Sequence, residues 1–213
     1  MTRTSLIALV LLWLGLTTAG LYCLGSFESA PGQAAQAPQH IAPQKRTHLL
    51  LLAHPRCPCT VATLHELARV LAQLGDKRKE VDVEILFLHA PGMPPEWRHA
   101  DNVELAQSIP DVRVRFDETG EESRAMGAYT SGQVLVYAAD GQLRYAGGIT
   151  SGRGHEGDNQ GADAALAALR GEAPPTPTAL VFGCELWNPQ TGTTNAPTGD
   201  GPKLPGFFPG LKP

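Results

Sequence analysis

The run His48-Leu49-Leu50-Leu51-Leu52-Ala53 is apolar at every position after its first, and it is of strand length. A strand that is apolar on both faces needs cover on both, which only the middle of a layered sheet provides. A helix-period pattern follows at once. Val61, Leu64, Leu67, Ala68, Leu71 and Leu74 recur at three- and four-residue intervals from Thr60 to Leu74, and Gly75 closes the segment. Between the two lie only six residues, His54-Pro55-Arg56-Cys57-Pro58-Cys59.

The same alternation continues downstream. Val81 to His89 reads as a second strand, with Val81, Val83, Ile85 and Phe87 alternating against Asp82, Glu84 and Leu86. Pro91, Pro94 and Pro95 break the chain before a short helix over Trp97 to Ser108. Val112 to Phe116 is a third strand and Glu121 to Met126 a short helix led by Asp117 and Glu118, which read as caps. Gln133 to Tyr137 and Leu143 to Ala146 form a hairpin across Ala139-Asp140-Gly141. Asp158 or Asn159 caps a last helix, Ala162 to Leu169, closed by Gly171. A βαβ unit followed by a hairpin and a helix is the thioredoxin arrangement. The predicted fold class is therefore α/β, a thioredoxin-like mixed sheet flanked by helices.

The termini do not belong to that unit. Thr4 to Phe27 carries no charge and is long enough to cross a bilayer. A cleaved signal peptide is the rival reading, because Leu6 to Leu16 has the length of a signal core and Thr17-Thr18-Ala19 offers small residues for cleavage. The apolar stretch runs on through Leu21, Tyr22 and Leu24, which favours an uncleaved anchor. Arg3 precedes it and the next basic residues are Lys45 and Arg46, a bias that places the remainder on the extracytoplasmic, periplasmic side of a single-pass membrane protein. The predicted division is anchor or signal 1–27, flexible linker 28–46, thioredoxin-like domain 47–184 and disordered tail 185–213. The linker holds Pro31, Pro38 and Pro43 with almost no large apolar residue, and the tail has six Pro and five Gly among its 29 residues.

A net charge of −4 and a pI near 6.0 exclude a generally basic nucleic-acid binder. Four cysteines in 213 residues are too few for a disulfide-dense scaffold. No phosphate loop, serine-hydrolase elbow, paired-carboxylate motif or HExxH pattern is present. Chemistry therefore concentrates on the cysteines. Cys57 and Cys59 sit where a strand hands over to a helix, and the helix N-terminus offers free N–H groups and a positive dipole end that favour thiolate. Arg56 adds a neighbouring cation and His54 is placed to orient Cys57. Residues two apart on a helix point to nearly opposite sides, so Cys57 and Cys59 can bond only if Cys57 lies outside the helix. The hairpin's return brings the loop Gly147 to Asp158 to the same edge, with Arg153 and His155. The stretch Ala179-Leu180-Val181-Phe182 can bring Cys184 there too.

From Leu49 to Gly171 the chain resembles the thioredoxin-like superfamily. It more narrowly resembles the exported, membrane-anchored RedB-like thioredoxin-fold proteins. The residues carrying that match are His54-Pro55-x-Cys57-Pro58-Cys59, Gly127-Ala128-x-Thr130-Ser131-Gly132, Gly147-Gly148-Ile149-Thr150-x-x-Arg153-Gly154-His155-x-Gly157-Asp158-Asn159 and Phe182-Gly183-Cys184. Ordinary thioredoxins carry a cis-proline where this chain has Ser131-Gly132. The resemblance implies the fold and the export but no particular reaction; the cysteine pair at the strand-to-helix junction, with Cys184 brought to the same edge, points to redox work on protein thiols and disulfides by Cys57, Cys59 and Cys184. Two alternatives stand beside it. Cys57, Cys59, Cys184 and His155 form a copper or zinc site, or the cysteines only staple an interaction domain.

Overall fold

The computed structural model describes residues 3–187. An N-terminal helix α1 (Arg3–Ser29) precedes β1 (Thr47–Ala53), α2 (Cys59–Ala72), β2 (Val81–Leu88), α3 (Asp101–Ser108) and β3 (Val112–Asp117). α4 (Glu121–Ala125), the hairpin β4 (Gln133–Tyr137) and β5 (Leu143–Gly147), and α5 (Gln160–Leu169) complete the order. The expected helix over Trp97 to Ser108 is split. A 3-10 turn spans Pro95–His99, and α3 begins after Ala100 adopts an extended conformation. The five strands form one sheet in the order β3-β2-β1-β4-β5. β1 is parallel to β2 and antiparallel to β4, and β4 is antiparallel to β5.

The apolar run of β1 lies at the centre of that sheet because both of its faces are buried. Leu49, Leu51 and Ala53 join a core with Leu64, Leu67 and Val70 of α2 and Ala164, Ala165 and Ala168 of α5. Leu50 and Leu52 face the other way, into a second cluster with Leu86, Leu88, Leu135 and Tyr137.

What covers the second cluster departs from the sequence expectation. Ala35, Ala37 and Ile41 pack against it, so the stretch read as a flexible tether lies along the domain as an extended strap. Its backbone is pinned along its length. Gly32 N–H donates to the Val181 carbonyl (2.8 Å), Gln36 N–H to Gly127 (2.9 Å), Ile41 N–H to Gly141 (2.9 Å) and Gln44 N–H to Ala139 (2.9 Å). The Tyr137 hydroxyl donates to the Pro38 carbonyl at 3.1 Å. Small side chains suffice for such a strap because backbone hydrogen bonds, not bulk, hold it. Gly127 (φ 59°) permits the approach, since a Cβ there would overlap the Gln36 carbonyl.

Two caps are as predicted and one differs. Asn159 accepts from Ala162 N–H (2.8 Å) at the start of α5. Buried Asp117 accepts from Gly120 and Ser123 N–H, both at 2.8 Å, and so fixes the entry to α4. Glu118 is instead an exposed ion-pair partner of Arg98. At the other end, α1 carries no buried side chain and has the length and composition to cross a membrane. The first three residues of the predicted tail, 185–187, pack on the domain. Leu186 is buried in the second cluster, its N–H donates to the Tyr129 carbonyl (2.7 Å), and Trp187 stacks on Tyr129. The rest of the predicted tail lies outside the described residues.

Candidate redox site

Four pieces of chain meet where β1 runs out. After Ala53 the backbone is gripped by β4's approach: His54 N–H donates to Ser131 Oγ (2.9 Å), and Gly132 N–H to the Leu52 carbonyl (2.9 Å). Thr60 Oγ1 shares a 3.1 Å hydrogen bond with the same Ser131 hydroxyl. The chain turns through Cys57, whose N–H reaches the His54 carbonyl (3.2 Å) and whose carbonyl accepts from Thr60 N–H (3.0 Å). Pro58 is the N-cap of α2 and Cys59 its first residue. Cys57 therefore stands outside the helix, as a Cys-Pro-Cys bond requires. Asn102 Nδ2, from the start of α3, donates to the Cys57 carbonyl (2.9 Å), a clamp that no spacing in the sequence announced.

The third piece is the segment that returns after α5. Ser131 N–H donates to the Cys184 carbonyl (2.8 Å), and Thr130 and Glu185 form an antiparallel bridge. The approach is tight: a Cβ on Gly183 would collide with the Ser131 carbonyl. The backbone edge at Ser131, where thioredoxins hold their cis-proline, is thus occupied by this chain's own Cys184 segment, and the described residues contain no cis peptide. The result is that Cys184 N–H points at Cys57 Sγ, 3.3 Å away and 127 residues distant in sequence.

The fourth piece is the loop after β5. Arg153 Nη1 donates to the Gly183 carbonyl (2.7 Å), and its cation lies beside Cys59 and Cys184, favouring their ionised forms. The end of α1 reaches it too, with Phe27 under the guanidinium and the Glu28 carbonyl accepting Arg153 N–H at 3.3 Å.

The electrostatics of the three sulfurs follow from this packing. Thiol hydrogen bonds from Cys184 and then Cys59 hold the Cys57 thiol far below the usual range, the backbone amides of both add to this, and burial opposes it. Cys59 and Cys184 move the other way because each donates its proton to Cys57, and burial and the Cys57 charge reinforce the shift. The packing of the three thiols thus favours ionisation at Cys57 over Cys59 and Cys184. All three are free thiols.

Several expectations need correction here. Cys57 is fully buried, whereas Cys59 and Cys184 are half-exposed, so Cys57 carries the charge without being the sulfur that solvent meets first. Arg56 is exposed and supports the turn through its backbone N–H, which donates to His54 Nδ1 (3.1 Å). The cation beside Cys59 and Cys184 is Arg153. His54 is buried edge-on against Trp97, and burial lowers its pKa, so it is a neutral packing residue near pH 7. His155 is exposed, with Nδ1 against the Arg153 carbonyl (3.0 Å) and its ring over Gly152. His155 thus turns onto its own loop, and among the described residues no group of three or more His, Cys, Asp or Glu is disposed to hold a metal.

Gly183→Ala is expected to push the Cys184 segment off Ser131 and to raise the Cys57 pKa, since Cys184 supplies its strongest hydrogen bond. Thiolate absorbance near 240 nm during a pH titration reads this directly. An unchanged titration would show that Cys184 is dispensable to the charge on Cys57.

No protein-family model matches the chain, and no curated relative matches it. Solved structures do. A hypothetical protein from Sinorhizobium meliloti 1021 is 16% identical with a TM-score of 0.55, over 75% of this chain and 96% of its own. An uncharacterized conserved protein from Geobacillus kaustophilus is 18% identical with a TM-score of 0.53, over 76% of this chain and 94% of its own. Both share this chain's fold, and its own topology, a central β1 between parallel β2 and antiparallel β4 in the order β3-β2-β1-β4-β5, gives that fold its class. The fold is thioredoxin-like. A secreted disulfide oxidoreductase from Mycobacterium tuberculosis also matches, at 16% identity and TM-score 0.41 over 61% of this chain and 84% of its own, too remote to bear on function. Within that frame a third cysteine, Cys184, pairs its backbone with Ser131 and lies against Cys57.

Proposed function

We propose that this chain is a membrane-anchored thiol–disulfide exchange protein whose domain lies outside the cytoplasm. The observation that carries the proposal is the environment of Cys57 Sγ: the Cys184 amide 3.3 Å away, thiols on both sides, and the first turn of α2 behind it. Such surroundings stabilise a thiolate, and a stabilised thiolate is a good leaving group.

In the oxidised form Cys57 and Cys59 share a disulfide. A substrate thiolate attacks the half-exposed Cys59 Sγ, the Cys57–Cys59 bond breaks, and Cys57 departs with the electron pair as the buried thiolate. A second substrate thiolate then attacks the substrate sulfur of the mixed disulfide. The substrate leaves as a disulfide, and Cys59 leaves as a thiolate that takes up a proton. Two electrons pass from substrate to protein, and a second disulfide-bearing partner reoxidises the pair. Stabilising the reduced form in this way makes the pair oxidising. The protein's partners are thus protein thiols and disulfides.

The anchor reading rests on α1, with Arg3 on one side and no further basic residue before Lys45, which orients the domain outward. The narrower RedB-like resemblance supports the same site, because its matching segments, 54–59, 127–132, 147–159 and 182–184, are those that converge on Cys57.

The test is exchange between the oxidised full chain in detergent and a dithiol peptide, followed by loss of peptide thiols. The expected result is rapid loss of peptide thiols, up to one disulfide per oxidised wild-type chain, and loss at the background rate with Cys57→Ser. Equal rates with and without wild-type protein would refute the proposal.

A further inference from the structure

The Cys184 segment lies where an incoming strand would dock. Its backbone pairs with residues 129–131 through Ser131 N–H to Cys184 C=O (2.8 Å), Leu186 N–H to Tyr129 C=O (2.7 Å) and the Thr130–Glu185 bridge. Added-strand pairing of this kind is how extended peptides bind an open backbone edge. Here the strand is internal, and it brings a cysteine against Cys57. The juxtaposition is built rather than incidental. Leu186 is buried in the second core cluster, Gly183 leaves no room for a side chain, and Arg153 grips the Gly183 carbonyl at 2.7 Å.

We infer that Cys184 is an internal disulfide partner, and that Cys57 passes its bond between Cys59 and Cys184 so that the oxidising disulfide is presented on either of two surfaces. This inference rests on the exchange function proposed above. The step balances without any outside reagent. Cys184 gives up its proton and its thiolate attacks Cys57 Sγ. The Cys57–Cys184 bond forms as the Cys57–Cys59 bond breaks, and Cys59 leaves with the electron pair and takes a proton. The number of disulfides and of thiols is unchanged.

The geometry explains why Cys57 is the shared member. It is the buried sulfur with a half-exposed cysteine on each side, and the Cys184 amide stays within 3.3 Å of its sulfur as a hydrogen-bond donor. Arg153 lies beside Cys59 and Cys184 alike, so whichever of them is released as thiolate meets the same cation. Two exits also separate two encounters. Cys59 is partly exposed as the first residue of α2, and Cys184 is partly exposed between Gly183 and Glu185, which line a cavity of about 250 Å³ together with Gln33, Tyr129, Thr130 and Arg153. A thiol donor and a disulfide donor of different shape can therefore use different sides of one pair.

The experiment uses the full chain in detergent on a Cys23→Ala background, which removes the anchor cysteine. Each protein is equilibrated with oxidised glutathione, free thiols are alkylated, and the intact mass is read. Cys59→Ser is expected to lose both remaining thiols to a Cys57–Cys184 bond, Cys184→Ser to lose both to Cys57–Cys59, and Cys57→Ser to form no internal bond. Peptide mapping of the oxidised protein with all three site cysteines intact is expected to yield both linkages, which needs no variant at the site to fold. Two thiols retained in Cys59→Ser together with a single Cys57–Cys59 linkage in the mapped protein would overturn the inference, as would a Cys59–Cys184 bond in Cys57→Ser. If that happens while the wild type still oxidises the dithiol peptide, the exchange function stands and only the internal partner falls. A wild type inactive towards the peptide fails the parent proposal instead.

Discussion

The stability of the reduced protein is expected to rise with pH up to about 8.5 and to fall beyond it. In the folded state Cys57 is ionised well below the usual thiol range, while Cys59 and Cys184 hold their protons well above it. In the unfolded chain all three titrate near the ordinary value of roughly 8.5. On the acid side of that value, and above the folded pKa of Cys57, the unfolded chain binds three thiol protons and the folded chain two. Stability then grows at about 1.4 kcal/mol per pH unit. The contribution of Cys57 is a depressed acid's: it is complete above the unfolded pKa and is lost as pH falls towards the folded one. Above about 8.5 the unfolded chain has released all three protons and the folded chain still holds two, so stability falls at about 2.7 kcal/mol per pH unit. Urea unfolding of the reduced protein, minus that of the variant with serine at 57, 59 and 184, isolates this peak from every other titration. A difference curve that is flat from pH 6 to 9 would mean that no charge is held on Cys57.

Leu51→Ala should cost about 3–5 kcal/mol. Leu51 has no exposed surface and sits mid-strand in the centre of the sheet, paired to Ile85 on one side and Val134 on the other. Its side chain faces the α2 and α5 side of the core, and truncation opens a cavity that close-packed neighbours fill only in part. The urea midpoint should drop while the slope of the transition holds. Leu180→Ala is the control, since Leu180 is 60% exposed and its truncation should move stability by less than about 0.5 kcal/mol. A loss below about 1 kcal/mol for Leu51→Ala would contradict the central placement of β1.

Much of the architecture was legible because it is written in short-range patterns. The two-faced apolar run of β1, the helical spacing of α2, the alternation of β2 and the Asp-Gly turn between β4 and β5 each report on residues within a few positions of one another. The strap was not legible. Ala35, Ala37 and Ile41 are too small and too sparse to signal a covering layer, and what holds them is backbone hydrogen bonding to Gly127, Gly141 and Val181, to which side-chain composition is blind. The candidate site divides in the same way. The position of Cys57 just outside α2 follows from Pro58 and the start of the apolar helix pattern, and sheet direction correctly pointed the Arg153 loop and Cys184 at the same edge. His155 shares that loop yet turns onto a carbonyl of its own turn, because a two-residue difference in a glycine-rich loop decides which side chain faces inward.

The amino-acid sequence by itself determined an α/β chain with an apolar leading helix, a Cys-Pro-Cys turn at a strand-to-helix junction, and a charge balance unsuited to nucleic acid. Only the tertiary structure decided that Cys57 is the buried centre of three sulfurs, that Arg153 is the cation beside Cys59 and Cys184, and that the chain's own Cys184 segment fills the open edge at Ser131. Periodicity is a property of near neighbours and is fixed before the chain closes on itself. The meeting of two cysteines 127 residues apart is fixed by the path of the backbone after α5 and by hydrogen bonds formed only once the sheet exists.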